Sequence, residues 1–578
     1  MTRRTILRVL AIALALPSAG MTADRQADDG ARPSQAPAPP AMQADRQGGP
    51  PTGPMEFVDD AYIAVPPEAR RTGPALRWVR GSHVSIQVNV DAQGNNIIND
   101  AANEPSIAVD PNRPNWMVIG WRQFDTINNN FRQAGWAWSH DGGRTWTFPG
   151  VLDPGVFRSD PVLDADADGN FYYNSLTVNG NYYCDIFKST DGGVSWDDGV
   201  YAFGGDKTWM AIDHTGGIGQ NNIYHAWDYA GCCGDDWFTR STDGAATFDY
   251  PVPIPERPMW GVTAVRPGGQ VFVAGRRSST NTEFVVARSS TVQDPDNPLQ
   301  FDFAVPVNLG GSLEYYLGTG PNPGGLLGQV WIAADHSDGP TAGNLYVLSS
   351  INPPGPDPLD VHFVRSTDGG LTWSEPVRVN DDPNEWAWQW FGTMSVAPNG
   401  RIDVIFADTR GDGPDGVMSE LYYTYSNDAG ETWSANELLT PAFHPHLGWP
   451  DQNKLGDYYD MVSDLLGVHI AYAATFNGEQ DVYYLRLGEY DCNGNGVPDP
   501  QDIADGLSAD CNHNDIPDEC EFPPPCPADV TGDCLVNTAD LLSLLAMWGE
   551  GGVPEDINGD GVVNTEDLLA LLAAWGPC

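Results

Sequence analysis

Five copies of one eight-residue motif constrain the fold of this 578-residue chain more than any other feature. Each copy begins with Ser, has Asp at its third position, usually Gly at its fifth, and ends in an aromatic residue. The copies occupy residues 139–146, 189–196, 241–248, 366–373 and 426–433. A short Asp side chain accepts hydrogen bonds from the turn that follows it, and Gly allows a positive φ at a tight corner. The motif therefore predicts a repeated turn with a structural role.

Apolar strand pairs precede the motifs, so the repeating unit is a small antiparallel sheet. Three of these pairs are 105–110 with 116–121, 209–213 with 222–227, and 331–335 with 344–348, and other units begin at Asp160, Trp260, Phe391 and Asp457. Successive motifs lie 50, 52, 125 and 60 residues apart, which matches the period of propeller blades except for one long gap. A unit whose motif has decayed, around residues 287–294, accounts for the gap.

This unit count predicts a mainly β fold, with a seven-bladed β-propeller over residues 57–490. The last unit has only three obvious strands, ending at 481–487. An early strand at 83–90 is available as its fourth strand and would close the ring. Six blades are the alternative, if one unit is an insertion.

Residues 491–525 differ abruptly in composition from the propeller. The run Asp-Cys-Asn-Gly-Asn-Gly-Val-Pro-Asp at 491–499 recurs in related form at 510–518. The segment resembles the acidic calcium repeats of thrombospondin type 3, and we therefore expect a Cys/Asp-rich calcium-repeat linker. A stiff spacer held by disulfides is the alternative, and the two are compatible.

Two repeats, 27 residues apart, predict a small α-helical calcium-loop module over residues 526–578. Each repeat has an oxygen-rich loop followed by an L-L-x-L-L-A-x-W-G helix. Calcium takes six to eight oxygen ligands, and EF-hand loops supply them from positions 1, 3, 5, 7, 9 and 12. The predicted Ca²⁺ ligands are Asp529, Thr531, Asp533, the Leu535 carbonyl, Asn537 and Asp540 in the first loop, and Asp556, Asn558, Asp560, the Val562 carbonyl, Asn564 and Asp567 in the second.

The paired loop–helix units resemble the dockerin family over residues 527–578. The resemblance implies calcium-dependent docking to a cohesin-like receptor through the helices and loop positions 10 and 11. Those positions are Thr538, Ala539, Thr565 and Glu566. The Ser-Thr pair usual there is absent, so the partner is expected to differ. Cys534 and Cys578 also depart from the family pattern, and a disulfide between them, or one from Cys526, would clamp the module.

The N-terminus predicts export. Three arginines precede an apolar run at residues 9–16 and then small residues, so residues 1–23 are a predicted signal peptide. Residues 24–56 have a linker composition typical of disorder. No later stretch is long and apolar enough to span a bilayer, so no membrane span is expected in the mature chain. The protein is therefore expected to be secreted, and extracellular or cell-surface associated.

Charge and cysteine content agree with that location. With 29 basic and 78 acidic side chains the net charge is −49. Such a charge disfavours binding to nucleic acid and to anionic membranes, and is compatible with binding of calcium or neutral glycans. Export favours disulfides among the nine cysteines. In the propeller, the sequence allows two alternatives, a vicinal Cys232–Cys233 disulfide or a disulfide between one of these residues and Cys184. The six tail cysteines allow 15 connectivities.

One face of the predicted propeller gathers the residues that open the innermost strands. These residues are Glu104, Asp160, Asp206, Lys207, Trp260, Gln329, Trp390, Asp457 and Tyr458, and nearby loops add Arg122, Arg276, Arg277 and Arg410. Aromatic faces stack on sugar rings, and carboxylates bind hydroxyls or act as acid and base. We therefore expect a carbohydrate ligand, with Glu104, Asp206, Trp260 and Trp390 as substrate-binding candidates. A polar channel mouth holding a structural cation is the alternative.

The eight-residue motif is the Asp-box, and over residues 104–487 the chain resembles the BNR/Asp-box sialidase-like superfamily. That resemblance implies a six-bladed exo-sialidase-like glycoside hydrolase with three arginines on the substrate carboxylate, a Tyr nucleophile and an Asp acid/base. The corresponding catalytic candidates are Arg122, Arg277, Arg410, Tyr458, Asp457 and Asp160. The family's early F/Y-R-I-P motif is missing, and Asn-Glu-Pro-Ser at 103–106 stands in its place. A non-catalytic propeller that binds glycan or protein is therefore the second hypothesis.

Overall fold

The computed structural model describes residues 60–81, 83–228, 231–521, 525–551 and 553–578. The predicted signal peptide, 1–23, and the predicted linker, 24–56, lie outside these residues. Within the described ranges, every helix is too short or too polar to cross a bilayer.

Seven antiparallel sheets of four or five strands form the seven blades of a β-propeller, as predicted, and the six-bladed alternative is wrong. Second strands such as Val271–Arg277 are almost completely buried, because neighbouring blades cover both faces of each sheet. This is why the sequence shows them as continuous apolar runs rather than as alternating patterns.

Blades 1 to 6 are numbered in chain order, and in each the innermost strand comes first. Blade 1 contains Ala101–Asp110, Arg113–Phe124, Gln133–Ser139 and Thr147–Leu152; blade 2 contains Ser159–Ala165, Phe171–Asn179, Asn181–Ser189 and Val200–Tyr201; blade 3 contains Trp209–Ile212, Ile223–Ala226, Asp236–Ser241 and Val252–Pro253. Blade 4 contains Pro258–Met259 and Thr263–Val265, which share the innermost place, then Val271–Arg277, Phe284–Ser289 and Phe303–Val307; blade 5 contains Trp331–Ala334, Leu345–Ile351, Asp360–Ser366 and Val377–Arg378; blade 6 contains Gln389–Val396, Ile402–Asp408, Glu420–Ser426 and Glu437–Leu438.

Blade 7 is built from both ends of the propeller segment. Its three inner strands are Asp460–Ser463, Gly467–Ala474 and Asp481–Gly488, and its outer strands are His83–Gln87 and Arg77–Arg80. The predicted early strand therefore closes the ring, in a register that sets Val84 opposite Arg486.

All five Asp-boxes lie on the turn between the third and fourth strands of their blades. In every box the Ser hydroxyl donates to Oδ1 of the Asp at 2.8 Å. The backbone N–H of the seventh residue donates to the same oxygen at 2.9 Å. Oδ2 accepts from the hydroxyl of that residue. Both carboxylate oxygens are thus used within the turn, as a structural motif requires.

The long gap between the third and fourth boxes is blade 4, as predicted. Its third strand ends at Ser289, whose hydroxyl donates to the Gln300 carbonyl at 2.6 Å instead of to an Asp. Blade 7 has no box for a different reason. Its third and fourth strands are joined by no turn, because they come from opposite ends of the propeller segment.

The tail contains three α-helices in its described residues, Asp499–Asp505, Thr538–Ala546 and Thr565–Ala573, and a 3₁₀ turn, Asp518–Cys520. Both longer helices start with a reciprocal capping box, made by Asn537 with Asp540 and by Asn564 with Asp567. Ala528, Val536, Leu544, Val563 and Leu571 form a small core between them. Strand Leu535–Val536 pairs with Gly576–Pro577. Outside the blades the structure also contains the 3₁₀ turn Pro67–Ala69 and the paired strands Arg71–Pro74 and Asn95–Ile98.

Four disulfides form, and they resolve the alternatives left by the sequence. They are Cys232–Cys233, Cys492–Cys520, Cys511–Cys534 and Cys526–Cys578. Cys184 is a buried free thiol, so its pairing with the vicinal cysteines is wrong. The Cys534–Cys578 bond is also wrong, because Cys511 takes Cys534 and Cys526 clamps the C-terminus.

Candidate functional site

The innermost strands of five blades open with the same unusual backbone. Glu104, Asp160, Lys207, Trp260 and Phe391 have φ between 47° and 56°, in the left-handed region that costs a non-glycine residue free energy. β-Bulges interrupt the pairing beside Glu104 and beside Phe391. The opening side chains of blades 1, 2, 3 and 7 lie close enough to one another to form ion pairs.

These side chains form an ion network that joins four blades. The Lys207 ammonium lies 2.6 Å from Oδ2 of Asp457 and 3.4 Å from Oδ1 of Asp160. Lys454 lies 2.7 Å from the same Asp457 oxygen and 3.5 Å from Glu104. Arg122 completes the network with its Nε 3.1 Å from Oε2 of Glu104.

Three carboxylates and three cations balance one another in this network, and each of the six residues is at most 5% exposed. Burial raises the pKa of Glu104 to about 7, against the opposing effect of Arg122, Lys207 and Lys454. Polar groups removed from water in this way are stabilised only by partners of opposite charge. The carboxylates proposed from sequence as acid and base therefore face cations, not solvent.

Tyr458, the predicted nucleophile, directly follows Asp457 of the network and is buried. Its hydroxyl donates to the Pro161 carbonyl at 2.7 Å, and its ring packs edge-on against Trp209. Burial, with Glu104 and Asp160 nearby, holds the pKa of Tyr458 well above its ordinary value. A tyrosine in this setting is a buried, neutral phenol.

The three candidate arginines belong to three different blades, 1, 4 and 6, and each pairs with acidic residues of its own. Arg122 belongs to the buried network. Arg277 lies 3.0 Å from Glu256 and 2.6 Å from Glu283 on the surface of blade 4. Arg410 lies 2.8 Å from Asp408 in blade 6 and 2.8 Å from Asp381, which follows the last strand of blade 5.

The substrate-binding candidates are also buried. Trp260 packs against Tyr315 with ring centroids 4.3 Å apart, under the Arg276 guanidinium. Trp390 donates from Nε1 to the Ser419 hydroxyl at 3.1 Å within blade 6. Asp206 is 2% exposed, and Glu104 lies in the network. Neither tryptophan presents a ring face to solvent on which a sugar can stack, and neither carboxylate is exposed to bind a hydroxyl group.

Lys454 is the network residue that sequence analysis missed. The composition could have identified it, because the chain has only three lysines, Lys188, Lys207 and Lys454. Two of the three lie in the network. In a chain so poor in lysine, lysines next to the opening Asp residues of inner strands are candidates for buried ion pairs.

A second candidate site lies in the two loops of the tail, loop 1 (529–540) and loop 2 (556–567). In loop 1, carboxylate oxygens of Asp529, Asp533 and Asp540 all lie within 4.8 Å of one another. Asp556, Asp560 and Asp567 do the same in loop 2. The remaining predicted ligands, Thr531, Leu535, Asn537, Asn558, Val562 and Asn564, belong to the same two turns.

The donor set of these loops fits a hard divalent cation. Although burial opposes ionisation, backbone N–H groups, that of Asn537 first among them, hold the pKa of Asp540 below its ordinary value, and that of Asn564 does so for Asp567. Each loop also holds three carboxylate groups close together, an arrangement that a bound divalent cation would stabilise.

Comparisons with known proteins give likenesses of fold only. No protein-family model and no curated protein matches this sequence. A Dyadobacter fermentans protein of unknown function is 16% identical over 70% of this chain and 97% of its own, with a TM-score of 0.39. A Hadza microbial sialidase is 13% identical over 67% of this chain and 65% of its own, with a TM-score of 0.37. A Fusarium graminearum α-L-arabinofuranosidase is 11% identical over 72% of this chain and 98% of its own, with a TM-score of 0.36.

Proposed function

We propose that this protein is an extracellular binding propeller, directed to a neutral glycan or a protein, and attached to a larger assembly through its calcium-dependent C-terminal module. The observation that carries the proposal is the closed ion network. Glu104, Asp160 and Asp457 are buried and paired with cations, so they are unsuited to act on a substrate in solution. The absence of an F/Y-R-I-P sequence supports the same conclusion.

A sialidase-like glycoside hydrolase is the second candidate, favoured by one observation. A carboxyl whose pKa is raised to about 7, as for Glu104, is suited to general acid catalysis at neutral pH. This candidate requires the network to open, so that Asp160, Asp457 or Tyr458 meets the substrate.

The binding propeller and the glycoside hydrolase are distinguished by whether the protein hydrolyses a glycoside. The full-length chain with calcium would be assayed on fluorogenic glycosides that include a sialoside, and for binding on an array of neutral and acidic oligosaccharides. We expect binding without hydrolysis. Hydrolysis that Asp160→Asn and Asp457→Asn abolish, in variants with unchanged circular dichroism, would establish the hydrolase and contradict the binding proposal.

For the C-terminal module we propose that loops 1 and 2 each bind Ca²⁺ and that helices Thr538–Ala546 and Thr565–Ala573 present the docking surface to a cohesin-like receptor. Their exposed side chains Leu542, Leu545, Leu569 and Leu572 support this proposal. Asp567→Asn removes a ligand at position 12, so we expect loss of one bound ion and of receptor capture, whereas Glu566→Gln keeps the ion. An unchanged ion count in Asp567→Asn would contradict the calcium assignment.

A further inference from the structure

The linker between propeller and C-terminal module contains a loop, residues 491–502, built like loops 1 and 2. The backbone N–H of its fifth residue, Asn495, donates to Oδ1 of its first residue, Asp491, at 3.1 Å, and that of Gly496 donates to Oδ2 at 2.7 Å. In loop 2 the same two bonds join Asp560 and Gly561 to Asp556, at 3.1 and 2.9 Å. The linker loop thus repeats the two backbone hydrogen bonds that shape the first half of loop 2.

Oxygen donors fill the linker loop in the EF-hand order. Asp491, Asn493 and Asn495 stand at positions 1, 3 and 5, and Gly496 at position 6 has φ of 82°. The Val497 carbonyl stands at position 7, and Asp499 and Asp502 stand at positions 9 and 12. This donor set is the one that calcium takes in such loops.

An unpartnered oxygen points to a missing ligand in the loop. Asp502 is 0% exposed, and its Oδ1 is buried without a hydrogen-bond partner among the described residues. Its Oδ2 accepts from the side-chain amides of Asn493 at 3.1 Å and Asn495 at 2.9 Å, so the carboxylate faces positions 3 and 5. A buried carboxylate with only neutral donors is unfavourable, and a cation in the loop would satisfy it.

The same loop is seated on blade 1 of the propeller. Asp499 lies 3.6 Å from the guanidinium of Arg144, the sixth residue of the first Asp-box, and that guanidinium covers the ring of Tyr490 at 3.9 Å. Buried Asn115 donates to the Cys520 carbonyl at 2.9 Å and to the His140 carbonyl of the same box at 3.0 Å. The Cys492–Cys520 disulfide joins both contact points.

We propose that the loop at 491–502 binds one calcium ion through Asp491, Asn493, Asn495, Asp502 and the Val497 carbonyl, and that this ion clasps the linker to blade 1. The ion orders Asp499 opposite Arg144 and, through the disulfide, Cys520 opposite Asn115. The propeller and the C-terminal module are then held in one arrangement when calcium is bound and are free to separate when it is removed. The related loop at 510–521 is not included, because its residue at position 12, Glu521, is not buried in this way.

The test uses the full-length, disulfide-intact chain, with Ca²⁺ itself as the probe and a chelator to prepare the metal-free state. Bound calcium is counted by native mass spectrometry, and hydrogen exchange is followed in peptides covering 490–502 and the blade 1 segments at 113–116 and 140–144. Asp502→Asn removes position 12. Asp505→Asn, an exposed residue on the same helix, is the control with the same change of charge.

In the wild type and in Asp505→Asn we expect calcium to slow exchange in all three segments by about tenfold or more. Asp502→Asn should bind one ion fewer and lose this response. If Asp502→Asn does not fold, Asn495→Ala makes the same test at an exposed ligand position. An unchanged ion count in these variants would overturn the site. Loss of the ion with blade 1 protection still responding to calcium would overturn the clasp.

Discussion

At the scale of single residues, the stability of the protein depends on ion pairs that are buried away from solvent. Lys207 touches two buried carboxylates, Asp160 and Asp457, while Arg277 makes pairs of similar length on the surface. The distances are alike, but the energetics differ, because a buried charge that loses its partner cannot be solvated. Burial, more than distance, therefore sets the consequence of each substitution.

Removing Lys207 should be far more costly than removing Arg277. We expect Lys207→Ala to lower the free energy of unfolding by about 3–5 kcal/mol, since it leaves buried carboxylates short of a cation. Arg277→Ala should cost about 0–1 kcal/mol, as usual for exposed pairs. Urea unfolding at pH 7 measures both, and equal small losses would show that the network contributes little.

The burial of Asp460 predicts how the stability of the protein changes with pH. It accepts hydrogen bonds from Ser106 and Ile107 of the next blade, and burial raises its pKa to about 7. Its folded pKa lies above its unfolded value, so the folded state holds an extra proton between about pH 4 and pH 7. Stability from this group is present at low pH and is lost as pH rises through 7.

Asp460→Asn should remove that dependence. Compared with the wild type, the variant should gain stability between pH 5 and pH 8, as measured by urea unfolding at both values. Asp464→Asn is a control of opposite sign. Although burial opposes it, His469 and Arg486 hold the pKa of Asp464 far below its ordinary value, so losing this carboxylate should destabilise the protein at pH 8. A wild type and Asp460→Asn variant with parallel pH profiles would contradict the assignment.

At the scale of elements, the fifth position of the Asp-box joins one blade to the one before it. Gly430 has φ of 80°, and a Cβ there would lie 2.2 Å from the ring of Phe363 in blade 5. Gly143 meets Tyr484 of blade 7 in the same way. Blade 3 carries Ala245 at this position, with φ of 69°. The glycine is therefore required by the neighbouring ring more than by the turn itself.

Gly430→Ala should lower the free energy of unfolding by about 1–3 kcal/mol through steric overlap and backbone strain. Ala245→Gly, the reverse change at the equivalent position, should alter it by less than about 1 kcal/mol. Thermal or urea unfolding of the two variants makes the comparison. Similar losses in both would mean that contact with the preceding blade is not the cause.

At the scale of the whole molecule, stability depends on closing the ring across nearly the whole propeller sequence. His83–Gln87 pairs with Asp481–Gly488, and Asn89 donates to Asp481 at 2.8 Å. This pairing between distant parts of the chain stabilises the whole ring, since an open ring would expose the faces of blades 1 and 7 to solvent.

A chain that begins at residue 91 should lose this closure. It lacks the two outer strands of blade 7, so we expect a lower melting temperature and a broader transition than in a chain that begins at residue 60, which keeps every described strand. Differential scanning calorimetry compares the two. Identical transitions would show that the ring does not need its N-terminal strands.

Much of the fold followed from local sequence. The Asp-box is made by side chains bonding to the turn beside them, so its repeats located the turns and the spacing of the blades, including the one without a motif. The strand count also predicts the early strand at 83–90, because the last unit has only three strands of its own and lacks a fourth. The positions of oxygen donors in the tail loops are likewise local.

The tertiary structure alone decided which of the inner-strand residues are accessible and what each contacts. Sequence placed Glu104, Asp160 and Asp457 at one end of the channel. It could not show that Lys207 and Lys454 reach across blades to neutralise them, or that Arg277 and Arg410 bond to nearby acids instead. Turn formation depends on neighbours a few residues apart, whereas burial and ion pairing depend on groups up to several hundred residues apart, and these are fixed only when the ring closes.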